Sequence, residues 1–259
     1  MRYRLLVLFP VVLAAAFLLA GDLTAARSGG VLTAEAEVAK SLALAGCVVA
    51  ALAFDRRDYL RRAWMYSGLC YLLLLVRDVV SLAIPDSSAV LGAFAILANL
   101  ASVAGTWMLA HAWRLAGIED DDRARTRGRL LFAAGALLAL AITGLPLVRD
   151  LRTLFAGDLR AVVDVASDLG DTICLALVAP VLQTALAMRG GVLRWPWGLL
   201  TASGIAWIAY DASSSFVVQA PWPAVVEAVR ALACGLVLSA GIAQRMAVAP
   251  DVRLSIPPE

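Results

Sequence analysis

Between residues 5 and 246 the chain repeats one pattern eight times: a run of mostly apolar residues, close to the ~20 needed to cross a bilayer as a helix, then a short break of charge, Pro or Gly. Apolar surface on this scale can be hidden only in lipid. There, each backbone N–H and C=O must be satisfied within its own segment, which selects the helix. The runs fall at 5–20, 35–54, 63–84, 89–115, 130–150, 162–188, 198–218 and 224–246. The breaks between them include DRRDYLRR at 55–62, PDSS at 85–88, GIEDDDRARTRGR at 117–129, RGGVLRWPW at 189–197 and QAPWP at 219–223. The expectation is an all-α, polytopic transmembrane bundle of eight helices forming one integral membrane domain over 1–259, with a short cytoplasmic tail at 247–259.

Composition agrees, with 62% hydrophobic residues, 16% charged and a mean hydropathy of +0.84. A formal charge of +2 leaves no basic field for nucleic acid, so the expected partner is the lipid bilayer. A single lysine, Lys40, stands against 21 arginines, which reads as coding bias in a GC-rich, bacterial genome.

Arginine also sets the orientation. Fifteen arginines lie at the N-terminus and in alternate breaks, against four, Arg27, Arg149, Arg152 and Arg160, on the opposite face. Positive charge stays inside, so both termini are expected in the cytoplasm of a bacterial inner-membrane protein. Trp195, Trp197 and Trp222 stand at segment ends, as an interfacial aromatic belt would. Residues 1–20 read as an anchor or as a signal-like helix; Pro10 and the lack of a small-x-small site favour the anchor, and cleavage would leave seven helices.

An internal echo runs through the middle of the chain. Leu75-Val76-Arg77-Asp78 closes the third segment and Leu147-Val148-Arg149-Asp150 the fifth, while Ala209-Tyr210-Asp211 lies in the seventh. Trp64 and Asp78, like Trp197 and Asp211, are 14 residues apart. The pattern fits three related helix hairpins over 34–218, with sites where they face one another. Four letters in so biased a chain also recur by chance.

Ionisable groups inside a bilayer need partners or a wet cavity. Here they crowd the outer half, where nine acids face four bases and leave a field of about minus five. That favours a cationic small ligand, an amine, a metal ion or a proton, although an inward arginine would still bind an anion. Asp164, Asp168 and Asp171 recur at i, i+4 and i+7 and share one narrow helix face. Arg77 and Arg230 are the expected partners of that stripe, with Asp78, Asp211 and Glu227 at similar depth. Asp164 is close enough to its helix start to be solvated or to complement the dipole. Glu37 with Lys40, and Glu227 with Arg230, stand at i,i+3 and can neutralise each other.

Other chemistries find no support. His111 is the one histidine, so a bis-histidine haem or a His-rich metal site is excluded, and it is expected as a satisfied core or interfacial residue. A retinal Schiff base would need a lysine in the last helices. Cys47, Cys70, Cys174 and Cys234 lack CxxC spacing and are expected as small, inert core residues. No nucleophile–base motif, HExxH or cofactor fingerprint occurs, and no cofactor is expected.

A ligand-responsive sensor or receptor-type module is the leading expectation. Seven core helices behind an anchor resemble, in topology alone, the seven-helix sensory regions fused to bacterial kinases. With about a dozen residues after Met246, such a module would act through a separate cytoplasmic or membrane partner protein. A cation- or proton-coupled transporter or channel subunit comes next, with Pro180 as a hinge in the sixth helix. A structural subunit of a membrane complex and an intramembrane acid/base enzyme complete the alternatives.

Overall fold

The computed structural model describes residues 2–24, 29–84, 88–115, 122–158, 161–187, 191–216 and 223–248. They form eight helices and, among the described residues, no strand: α1 (Arg2–Thr24), α2 (Gly29–Ala51), α3 (Tyr59–Ala83), α4 (Ser88–Leu115), α5 (Asp122–Phe155), α6 (Ala161–Ala187), α7 (Arg194–Phe216) and α8 (Pro223–Val248). Six of them, all but α2 and α7, are long and apolar enough to cross a membrane. Large apolar side chains such as Leu8, Val12, Val79, Leu82, Leu145 and Phe155 stand exposed around the outside. Exposed apolar surface of this extent belongs against lipid, and the protein is a multi-pass integral membrane protein. α2 falls short of a span by itself because it carries Glu35, Glu37 and Lys40. α7 carries Thr201, Ser203, Tyr210, Asp211 and a run of serines.

Local signals explain the helix ends. Asp58 takes the N-cap of α3 in an extended conformation and accepts the Leu60 N–H at 2.7 Å, so the helix starts four residues before the apolar run. α5 ends in a Schellman motif. Gly157, at φ 97°, donates to the Leu154 carbonyl at 3.0 Å while Asp158 donates to Thr153 at 3.3 Å. Gly157 alone among the described residues has a positive φ, so the tight turn expected of GGVLRWPW does not place Gly191 there; Gly190 lies outside the described residues.

The bundle runs up and down. α2 and α3 are antiparallel, with Lys40 against Asp78 and Cys47 against Gly68. α4 and α6 are parallel, since Gly92 meets Val163 and Gly170 meets Asn99. α3, α5 and α7 therefore finish at one end, the acidic end, where α2, α4, α6 and α8 begin. The opposite, arginine end holds both the start of α1 and the finish of α8.

Neighbour contacts close a ring: α8 packs on α2, α2 on α3, α3 on α4, α4 on α6, α6 on α7 and α7 back on α8. α1 lies outside the ring along α8, and α5 lies outside along α6. Small residues allow the closest approaches. Gly46 of α2 meets the backbone of Leu238 in α8, and Gly241 meets the Gly46 carbonyl, so neither has room for a Cβ. Gly235 gives α1 a seat, with Pro10 buried against it. The hydroxyls of Thr143 and Thr172, 2.5 Å apart, pin α5 to α6. α4 and α5 both pack on α6, so the second of the three hairpins read in the sequence does not form a closely packed pair.

Two expectations are corrected. The mixed-charge run at 117–129 is in part helix: α5 begins at Asp122, with Arg127 and Arg129 exposed and Gly128 against Gln183 of α6. Charged residues suit a helix that continues into water. Trp197 is 2% exposed and belongs to the core, not to an interfacial belt. Trp195 stacks on Tyr3 at 5.4 Å beneath the Arg194 guanidinium, and Trp222 lies outside the described residues.

Candidate functional site

The ring encloses a chamber of about 480 Å³ to which all six of its helices contribute, whereas α1 and α5 contribute nothing. On α3 the lining residues Trp64, Ser67, Tyr71, Leu74 and Asp78 follow helical spacing along one face. On α4 they are Asn99, Ser102, Thr106 and Leu109, and on α6 Ser167, Asp171, Cys174, Val178 and Val181. The chamber is therefore long and parallel to the bundle axis. It is shut at the arginine end by Trp64, 1% exposed, and open at the acidic end, where Arg77 is exposed.

Five of the eight residues singled out in the sequence come together on its walls: Arg77, Asp78, Asp171, Asp211 and Arg230. Three do not. Asp164 is exposed at the start of α6. Asp168 faces Asp150 across the α5–α6 seam, outside the ring, and one of its carboxylate oxygens is buried without a hydrogen bond. Glu227 lies behind Arg230, off the chamber wall. The aspartate stripe is thus divided between two neighbours of α6. Arg230 is not its partner either, because it pairs with Glu227 at 3.0 Å, donates to the Tyr210 hydroxyl and stacks over that ring at 4.9 Å.

The charge balance of the cavity also differs from expectation. Three bases, Lys40, Arg77 and Arg230, face three acids, Asp78, Asp171 and Asp211, so the lining is balanced and not strongly acidic. Two of the bases are already committed. Lys40 Nζ lies 2.5 Å from Glu37, the expected i,i+3 pair, and also contacts Asp78 across the α2–α3 seam. Counting Glu37 and Glu227 with the groups they neutralise leaves a local excess of two negative charges. Asp171 has no ion-pair partner among the described residues, and it lies within electrostatic reach of Asp211.

Sequence reasoning missed the aromatic and hydroxyl walls. Trp64, Tyr71, Trp207 and Tyr210 line the chamber, with Trp207 edge-on to Tyr210 at 5.3 Å and hydrogen-bonded to Tyr71. The Trp64 indole N–H, by contrast, is buried with no acceptor. The legible signal was the 14-residue interval from Trp64 to Asp78, four turns along one face, which marks the two ends of the chamber on α3. Ser203 donates to the Ala233 carbonyl at 2.9 Å and ties α7 to α8. Cys47 and Cys234 are buried as expected, but Cys70 and Cys174 are chamber walls, with Ser102 Oγ 3.4 Å from the Cys174 sulfur. His111 is satisfied locally by the Trp107 carbonyl at 2.8 Å and stacks on that ring.

Among the described residues, no three His, Cys, Asp or Glu converge to hold a metal ion. Comparison with protein-family models, characterised proteins and solved structures finds no match.

Proposed function

We propose that this protein is a receptor-type membrane module whose helical ring takes up a cationic small molecule, an organic amine, from the acidic end. The observation that carries the reading is the chamber itself. It has the size of a small-molecule site, is closed at one end, and holds Asp171 beside Asp211 while two of its three cations are occupied. An ammonium group offset by two carboxylates removes a repulsion that the empty site carries. The aromatic walls suit a cation with an apolar body. The absence of a converging metal-ligand set among the described residues favours an organic cation over a metal ion.

The arginine asymmetry places the arginine end in the cytoplasm of a bacterial inner membrane, so the chamber opens outward. The closed floor at Trp64, with Leu109, Leu200 and Val237 around it, favours binding over passage. Occupancy is read by a separate partner protein. A transporter reading has one observation in its favour, Pro180 in α6 between the floor residues Val178 and Val181, where the helix can bend.

The test is thermal unfolding of the full chain in lipid nanodiscs against inorganic cations and simple amines, for the wild type, Asp171→Asn and Asp211→Asn. An amine at 100 times its Kd stabilises by about 2.7 kcal/mol. The reading expects that gain for amines and its loss in both variants, with no uptake of the same amine into proteoliposomes. Uptake would favour the transporter. A flat response to every amine would overturn amine binding.

A further inference from the structure

Resting on that reading, we propose that the ligand is a linear amphiphilic amine, one extended alkyl chain wide, with its ammonium group at Asp171 and Asp211 and an oxygen at its far end accepting from the Trp64 indole. The shape of the chamber is the first argument. On α3 alone it runs from Trp64 to Asp78, and on α6 from Ser167 to Val181. Fourteen residues at 1.5 Å each make it about 21 Å long. Spread over that length, 480 Å³ leaves a mean cross-section of only about 23 Å². A chain fits such a bore, and a branched or polycyclic molecule does not.

Polarity along the bore is the second argument. Lys40, Arg77, Asp78, Asp171, Asp211 and Arg230 are all in the half toward the acidic end, whereas Leu109, Val181, Leu200 and Val237 wall the other half. No acid lines the far half to hold a second ammonium, which separates an alkylamine from a polyamine. Burying an alkyl body there is favourable at about 25 cal/mol per Å².

Trp64 supplies the third, independent argument. Its side chain is 1% exposed and its indole N–H has no acceptor, a costly arrangement that a ligand oxygen would relieve. Ser102 sets a common level for the helices through Cys70 and Cys174. From that level Trp64 lies six residues toward the arginine end on α3, and Asp171 three toward the acidic end on α6. The axial distance between the two recognition points is therefore about 13 Å.

The experiment is calorimetric titration of the full chain in nanodiscs, corrected for partitioning into empty nanodiscs. The probes are butylamine, hexylamine, octylamine, ω-amino-octanol and adamantylamine. Affinity is expected to rise about fourfold per methylene from butylamine to octylamine, with adamantylamine at least tenfold weaker than octylamine. ω-Amino-octanol should bind about threefold to tenfold tighter than octylamine in the wild type. In Trp64→Phe that preference should vanish while octylamine affinity holds. Affinity independent of chain length, or adamantylamine equal to octylamine, would overturn the linear ligand and leave the amine chamber standing. A Trp64→Phe protein that keeps the preference would overturn the far-end contact. Failure of every amine to bind would overturn the chamber reading itself.

Discussion

Lys40 shows how one residue can decide local structure in a bilayer. It is the chain's one lysine, it sits at the middle of α2, and its ammonium serves Glu37 and Asp78 from a single atom. A compact, three-donor charge suits that task better than the planar fork of arginine. Lys40→Met should destabilise the protein by about 3 kcal/mol, because two partly buried carboxylates lose their cation. Lys40→Met with Asp78→Leu should recover most of the loss in the same unfolding measurement; full additivity would mean the bridge contributes nothing. Arg230 offers a milder case. Tyr210→Phe removes the hydroxyl but leaves the ring beneath the guanidinium, so the expected cost is about 1 kcal/mol. Residue spacing made the chamber only partly legible. It fixed the angle between Asp164, Asp168 and Asp171 on α6, but not which neighbour each would face; α5 took Asp168 and the ring took Asp171. Trp64 was legible as one end of a four-turn interval, but its unpaired N–H depends on packing that spacing does not reveal.

At the scale of elements, the tightest joint is the α2–α8 crossing. Gly46→Ala and Gly241→Ala each push a methyl into facing backbone, and each should cost about 1–3 kcal/mol. Gly144→Ala in α5 is the control: nothing lies within 4 Å, and trading glycine for alanine in a helix should be neutral or stabilising by up to about 1 kcal/mol. Equal losses at all three sites in chemical unfolding would show that the crossing is not close-packed. All eight helices were legible as apolar runs, because hydropathy reports directly on the thickness of lipid a segment crosses. Their ends were less so. α5 outruns its apolar stretch at both ends, since apolar character stops at the membrane surface while the backbone hydrogen bonds continue to the Schellman turn at Gly157.

For the whole molecule, the arrangement to explain is a closed ring of six helices with α1 and α5 set outside it. Chain order suggested paired hairpins. Packing instead makes α8 the hub for α1, α2 and α7, and makes α6 the hub for α4, α5 and α7. The ring is what divides the polar groups, turning Asp171 and Asp211 inward and leaving leucine and valine for lipid. The four native cysteines report on that division without any added ligand. Cys70 and Cys174 line the chamber, whereas Cys47 and Cys234 are buried between helices. The most direct measurement is mass-spectrometric mapping of a small, charged, membrane-impermeant thiol reagent applied to inside-out and right-side-out vesicles. An outward-opening chamber predicts modification of Cys70 and Cys174 from the outside only, with Cys47 and Cys234 spared. Equal protection of all four, or labelling of Cys47 and Cys234 ahead of the other two, would contradict the ring and the chamber together.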